Sequence, residues 1–451
     1  MTHQSRRNFL RRSIAITGVG ASGYLASGRP LRAESPAHSD PMGANDRIRV
    51  GLIGCGGRGR KLLGLFLKVE GVSCAALCDV DDGQTQKALR SVEAAAGRAP
   101  LQTRDFRRVL DSKELDAVIV ATPDHWHALQ CVAACQAGKD IYVEKPLSLT
   151  IQEGRTMVRA ARLYQRVVQV GTQQRSAPQF AQAVEYVNSG QLGRIRLVRT
   201  WAYLDWKGAT PKAPDGPPPD GVDYDQWLGP ARRQPFNPNR FHFTFRWYWD
   251  YSGGLMTDWG AHMVDIANWG MGVRAPVSAF SAGGKFAYPE DAMETPDTQQ
   301  VTWAFPHFSM IWEHALGVGR GPEAREHGVA FHGEDGVLVV DRFGWEVFPE
   351  TRRMDDKRCT YKAAGLPRQR VGRDYTPDHV QNFLDCMRSR ETPAADVEIG
   401  HNSVIACHLG NIAQRLGRQV RWDVDRERVI DDPEAEAMTG MNYRPPWKLA
   451  L

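Results

Sequence analysis

Two rhythms of apolar residues divide the chain. Before residue 170 they come in unbroken runs: IRVGLI at 48–53, VSCAALC at 72–78, LDAVIVA at 115–121 and DIYV at 140–143. Runs of this kind predict strands buried on both faces. Helix-length segments separate them, HALQCVAACQAG at 127–138 among them, and that alternation predicts a parallel sheet covered by helices. After residue 170 the pattern changes. The stretch 177–203 reads as a helix, a glycine-containing turn and then a strand of alternating apolar and polar residues from Ile195 to Tyr203. Further short strands follow at QQVTWAF, SMIWEHA, GVAFHGEDGVLVVD and WEVFP. Alternation predicts a sheet with one covered face, hence a mostly antiparallel one. TPKAPDGPPPDG at 210–221 is a loop, and residues 379–423 read as two helices joined by a proline-containing turn.

The expected organisation is therefore an α/β dinucleotide-binding domain of the Rossmann type over 47–170. An α+β domain with a large, mostly antiparallel open sheet follows over 171–422. The terminal helices of the second domain are expected to pack back on the first, and 423–451 is a tail without readable periodicity.

The first strand runs into Gly54-x-Gly56-x-x-Gly59, with Gly57 and Arg58 inside the loop and a helix expected after it. In that context Gly54 permits a tight turn, Gly56 lets backbone approach a pyrophosphate, and Gly59 lets helix and strand pack closely. The helix N-terminus offers free N–H groups to the phosphates. Asp79 ends the next strand, where an acid accepts hydrogen bonds from the adenosine ribose. With Asp81 and Asp82 beside it a 2′-phosphate is disfavoured, which predicts NAD rather than NADP. Two more strand ends carry TPDHWH (122–127) and EKP (144–146), at the sheet edge where ligands bind.

The strand–GCGGRG–helix unit, then ATPDHWHA, then YVEKP resembles the Gfo/Idh/MocA family, the glucose–fructose oxidoreductase and inositol dehydrogenase group. The resemblance spans Arg47 to about Trp422, and EKP is its most specific part. It implies that Lys145 lies between nicotinamide and sugar and takes part in proton transfer. It also implies that Glu144, Thr122, Pro123 and His127 line the nicotinamide side. A lysine at a desolvated strand end suits that role.

In the second half, SGGLMTDWGAHMVDIANWG places Asp258, His262 and Asp265 at i, i+4 and i+7, one stripe of a helix. The resemblance turns Asp258 and His262 toward the substrate hydroxyl, His262 as base or proton relay and Asp258 as hydroxyl ligand or tuner. Gln173 follows a strand end and is a further cofactor contact. The aromatic stretch 236–251 adds Arg240, Arg246, Asp250 and Tyr251 as weaker substrate candidates. No metal is expected: His125, His127 and Asp124 fit a cofactor-lining strand end equally well.

Composition refines the picture at the N-terminus. SRRNFLRRS, a short Gly/Ala-rich apolar stretch and LRAE make residues 1–33 a twin-arginine export signal, followed by a linker over 34–46. Export would place the protein in the periplasm or outside the cell, with the twin-arginine machinery as a partner. Removing the six arginines of 1–33 from the 57 Lys and Arg leaves 51 basic against 52 acidic residues. The formal +5 is thus a property of the leader, and nothing points to nucleic acid. No run of 18 apolar residues is present, so no stable membrane anchor is expected. The eight cysteines lack Cys-x-x-Cys spacing, and Cys131 and Cys135 share a helix face as core residues.

Two activities fit. One is NAD-linked oxidation of a sugar, polyol or glycoside hydroxyl with tightly bound NAD, in a homo-oligomer as the resemblance implies. The alternative is an NAD-dependent glycoside hydrolase working by transient C3 oxidation, elimination, water addition and re-reduction. Elimination needs a base near C2, for which Tyr142 and His127 are the nearest guesses.

Overall fold

The computed structural model describes residues 47–451 apart from 95–98 and 372. The anticipated twin-arginine leader (1–33) and linker (34–46) both lie outside the described residues. Among the described residues no helix is long and apolar enough to cross a membrane.

The first half contains β1 (Ile48–Ile53), α1 (Gly57–Phe66), β2 (Val72–Cys78), α2 (Asp82–Glu93), β3 (Leu101–Thr103) and α3 (Phe106–Leu110). It continues with β4 (Ala117–Val120), α4 (Asp124–Gln136), β5 (Asp140–Val143), α5 (Ile151–Leu163) and β6 (Val168–Val170). The strands form one parallel sheet in the order β3-β2-β1-β4-β5-β6. The chain reverses direction across the sheet at β1 and β4, which opens a crevice at their carboxyl ends. β4 and β5 are buried along their whole length, as helices on both faces require.

The second half begins with α6 (Pro178–Asn188), β7 (Leu197–Leu204), α7 (Tyr224–Leu228), α8 (Gly254–Asp258) and α9 (Gly260–Met271). Then come β8 (Ser278–Gly284), β9 (Thr298–Ala304), β10 (Ser309–Leu316), β11 (His327–His332), β12 (Gly336–Asp341) and β13 (Gly344–Pro349). A hairpin of β14 (Thr351–Arg353) and β15 (Cys359–Tyr361) stands apart from the large sheet, which gains β16 (Leu366–Arg370). Helices α10 (Thr376–Ser389) and α11 (Val397–Leu416) precede β17 (Val420–Asp423), β18 (Arg428–Val429) and α12 (Pro433–Ala437). Ten strands make the large sheet, in the order β16-β13-β12-β11-β7-β10-β9-β8-β17-β18. Among the described residues its only parallel pair is β7–β10.

Among the described residues three large apolar clusters, beside a small one of Trp201, Ala330 and Val339 on the large sheet, hold these layers together. One lies under the large sheet and takes in Trp303, Trp312, Phe331, Met263 and Ile405. The other two flank the parallel sheet. Val380, Phe383 and Leu384 of α10 complete one, and Val397 and Val404 of α11 complete the other. The last segment, unreadable as periodicity, is ordered by aromatic contact: Trp447 packs 4.8 Å from the ring of Trp126, and the Tyr443 hydroxyl donates to Glu153.

Candidate active site

At the carboxyl edge of the parallel sheet lies a cavity of about 810 Å³, within the range of small-molecule sites. Gly54 turns the chain out of β1 with φ +93°, and a Cβ there would lie 2.6 Å from the Ala121 backbone. Gly59 is required by close approach, since its Cβ would meet the Gly54 carbonyl oxygen at 2.0 Å. Gly56 and Gly57 line the cavity, and a Cβ on either would meet nothing within 4 Å. The cradle above α1 is therefore open.

Asp79 lines the same end. Its carboxylate accepts from the amides of Cys55 (2.6 Å) and Asp81 (3.0 Å), which fixes its direction. Burial pushes its pKa up to about 6, against those hydrogen bonds. Asp81 and Asp82 do not line the cavity: Asp81 caps α2 and meets His242, and Asp82 pairs with Arg104. Arg60, Lys87 and Arg104 do line it. The electrostatic preference anticipated from three acids thus rests on Asp79 alone.

At the other end the EKP loop meets the second domain. Glu144, buried behind the loop, pairs with Arg58 of the glycine-rich turn at 2.6 Å. The Lys145–Pro146 peptide is cis. Lys145 Nζ donates to Asp258 Oδ1 at 2.6 Å and to the Asp258 carbonyl oxygen at 2.8 Å. Arg246 Nε lies 3.5 Å from the same carboxylate oxygen. Burial alone would raise the pKa of Asp258; Lys145 first and Arg246 second outweigh it and hold it at about 2.

His262 lines the same cavity, within the electrostatic reach of Lys145. It is 4% exposed, and its Nδ1 has no hydrogen-bond partner. Burial, then the positive charges of Arg342, Lys145 and Arg58, keep its pKa well below the usual histidine value. The ring is therefore neutral at physiological pH. The expected single helix is broken at Trp259: Asp258 closes α8, and His262 lies in the first turn of α9. Asp265 leaves the stripe and is buried, accepting from Arg175 and Ser403.

The residues fit a dinucleotide. An open glycine cradle stands at one end with a directed carboxylate, and two buried, unpartnered atoms, Gln173 Oε1 and His262 Nδ1, belong to residues lining the other.

Comparison with known proteins agrees. Residues 48–172 match the Gfo/Idh/MocA model described as "Oxidoreductase family, NAD-binding Rossmann fold". Residues 191–278 and 368–449 match its companion, "Oxidoreductase family, C-terminal alpha/beta domain". The chain belongs to the Gfo/Idh/MocA oxidoreductase family. Among curated relatives, a "Glycosyl hydrolase family 109 protein" of Saccharopolyspora erythraea is 35% identical over 159 residues, 33% of this chain and 35% of the relative. An "Alpha-N-acetylgalactosaminidase" of Tannerella forsythia is 30% identical over 161 residues, 33% of this chain and 34% of the relative. The chain thus matches about a third of the length of these relatives. Among solved structures, a levoglucosan dehydrogenase in complex with NADH and levoglucosan is similar with a TM-score of 0.62 and 18% identity. That match covers 83% of this chain and 99% of the other. At this identity the likeness is one of fold.

Within this family member the anticipated site residues separate into two groups. Gly54, Gly56, Gly57, Arg58, Asp79, Thr122, Pro123, Glu144, Lys145, Gln173, Arg246, Asp258 and His262 all line one cavity. Gly59 and His127 stand behind it. The two nitrogens of His127 lie 2.9 Å from the carbonyl oxygens of Thr122 and Pro146, so the ring ties the two strand-end loops together. Arg240, Asp250 and Tyr251 are not among the lining residues. Arg240 pairs with Asp215, Asp250 with Arg232, and Tyr251 is fully buried against Trp227 and His125. Tyr142 is fully buried, edge-on to Phe66 and Phe383, which removes it as a base.

Several lining residues were not anticipated for the reaction. Asp124 is buried beside Lys145, Arg246 and Asp258 and accepts from Ser252 Oγ at 2.5 Å; burial lifts its pKa to about 7, against that hydrogen bond. Its position after Thr122-Pro123, at the start of a helix on the ligand-binding edge, was the available signal. Arg342, in the turn after β12, lies 4.5 Å from the Trp259 ring and carried no local signal.

Proposed function

We propose that the protein oxidises a secondary hydroxyl of a sugar, polyol or glycoside, with NAD held through the catalytic cycle. The observation that carries this reading is the meeting of Lys145, Asp258 and neutral His262 at one end of a cavity whose other end is the glycine cradle. NAD supplies the hydride acceptor. His262 takes the hydroxyl proton as a neutral base, and the Lys145 ammonium hydrogen-bonds the oxygen as negative charge develops there. Asp258 fixes the direction of Lys145, and Lys145 first and Arg246 second keep the carboxylate ionised.

Retention of NAD is supported by contacts across the β2–α2 turn. Asp82 N donates to the Gly221 oxygen at 3.1 Å, Asp223 N to the Val80 oxygen at 2.9 Å, and His242 Nε2 meets Asp81 at 2.8 Å. Second-domain loops thereby strap the turn that carries Asp79. The Arg6–Arg7 leader supports export by the twin-arginine route, and an exported enzyme that meets little free NAD must regenerate it in place. Comparing cell fractions for a shortened mature chain tests the export; an unprocessed cytoplasmic protein would oppose it.

A second reading is a glycosidase that oxidises, eliminates, hydrates and reduces the same sugar. The names of the two relatives favour it, and this reading assigns exchange of the C2 proton to Asp124, which lines the cavity near Lys145. The separating experiment incubates protein purified with its cofactor with aryl glycosides in heavy water, without added NAD. Catalytic release of free sugar carrying one deuterium at C2 supports the glycosidase. A single burst of keto-sugar with reduced cofactor supports the oxidoreductase. Neither product would sink both readings.

A further inference from the structure

The same cavity is also lined by two large exposed aromatic side chains. Trp206, just after β7, is 47% exposed, and Phe243, in the short turn His242–Trp247, is 57% exposed. Both line the same cavity as Lys145 and His262. Their ring centroids lie 5.9 Å apart at 67°, so they present two faces of a corner.

A continuous set of contacts connects this corner to the chemistry. The Arg246 guanidinium lies 4.6 Å from the Phe243 ring centroid and 4.8 Å from that of Phe245. Its Nε is 3.5 Å from the Asp258 oxygen that also accepts from Lys145. The corner is thus one side chain removed from the reacting centre, on the rim side. The chain also holds it there at a cost. His242 adopts φ +47°, uncommon for a residue with a side chain, and its ring is fixed on Asp81 at 2.8 Å. Leaving two aromatic faces in water forfeits the burial both rings would otherwise gain. A flat ring laid on them recovers that loss.

We propose that Trp206 and Phe243 form a binding subsite for a second ring of the substrate, adjacent to the ring that reacts. The substrate is then a glycoside of at least two rings, a disaccharide or an aryl glycoside, and not a free monosaccharide. The C–H face of a pyranose and the face of an aryl group share the apolar, flat chemistry this corner offers. Arg246 stands at the junction, where it can donate to the bridging oxygen while holding Asp258. This inference rests on the oxidation of a sugar hydroxyl proposed above.

The test compares three glycosides of one sugar: the methyl glycoside, the p-nitrophenyl glycoside and a disaccharide. Wild type, Trp206→Ala, Trp206→Phe and Phe243→Ala are each assayed for kcat/KM. Binding is measured by calorimetry in the Lys145→Ala background, where turnover is absent. The expected result is a preference of at least about tenfold, roughly 1.4 kcal/mol, for one or both two-ring compounds over the methyl glycoside. That ratio collapses in Trp206→Ala and Phe243→Ala and largely survives in Trp206→Phe. Whichever two-ring compound carries the preference identifies the second ring as sugar or aryl. A wild-type ratio near one, or a ratio untouched by both alanine variants, overturns the proposal. So does loss of NAD from purified Trp206→Ala, which would assign the corner to the dinucleotide. If no glycoside is oxidised but two-ring compounds still bind in a Trp206-dependent way, the subsite stands and the reaction proposed above falls.

Discussion

Asp258 is a buried carboxylate with two cations on it, and its energetics follow from the geometry. Its pKa is held at about 2 against the ordinary aspartate value of 3.8, with burial working in the opposite direction. At about 1.4 kcal/mol per unit this depression is worth roughly 2 kcal/mol of folding stability at neutral pH. The sign is that of a depressed acid: the contribution is complete above the unfolded pKa and is lost as pH falls toward 2, with about half remaining near pH 3. Lys145→Met leaves a carboxylate that is 10% exposed with Arg246 alone, and Asp258→Asn leaves two cations without their counter-charge. Each single variant should lose about 2 kcal/mol or more in denaturant titration at pH 7. The double variant should lose clearly less than the sum, because neither partner is then stranded. The wild-type advantage over Asp258→Asn should shrink between pH 4 and pH 3. Strict additivity, or an advantage that ignores pH in that window, would refute the account of this pair.

Three further outcomes follow from other contacts. Gly59→Ala drives a Cβ to 2.0 Å from the Gly54 carbonyl oxygen, so it should destabilise by about 1–3 kcal/mol and abolish retention of NAD, read from the cofactor content of purified protein. His242→Ala removes the 2.8 Å contact to Asp81 and should speed exchange of bound for labelled NAD; an unchanged exchange rate would remove the strap from the account. Asp124 has its pKa raised to about 7, so the native state holds an extra proton below that value and loses stability as pH rises from about 4 through 7. Asp124→Asn should therefore gain more thermal stability over wild type at pH 8 than at pH 5, as thermal unfolding at the two pH values would show.

Much of this architecture is legible in the sequence because local pattern and final environment coincide. Unbroken apolar runs became strands covered on both faces, as in Ala117–Val120, and alternating runs became the large sheet. The glycine turn, Asp79, Lys145 and the Asp258–His262 pair are readable because each occupies a strand end or a short, regular spacing. What escapes is decided by distant partners. Asp265 has the spacing of a site residue, yet Arg175 and Ser403, far away in sequence, draw it into the core. Arg240 and Arg246 look alike in an aromatic stretch, and only the position of Asp258 separates a scaffold residue from a cavity residue. The contacts that strap the β2–α2 turn join segments more than a hundred residues apart, which no local pattern encodes. The tail lacks periodicity because single aromatic anchors hold it, Trp447 on Trp126 and Phe106.

The central claim is that Lys145 and His262 serve removal of the hydroxyl proton while hydride passes from the carbon bearing that hydroxyl to a cofactor the protein keeps. The most direct measurement is the absorbance of reduced nicotinamide in protein purified without added NAD, after mixing with a panel of sugars, polyols and glycosides. Wild type should give a rise of at most one equivalent per chain with at least one compound. Lys145→Ala and His262→Ala, loaded to the same cofactor content, should give none. A Lys145→Ala response equal to wild type, or protein that carries and binds no NAD, would contradict the account.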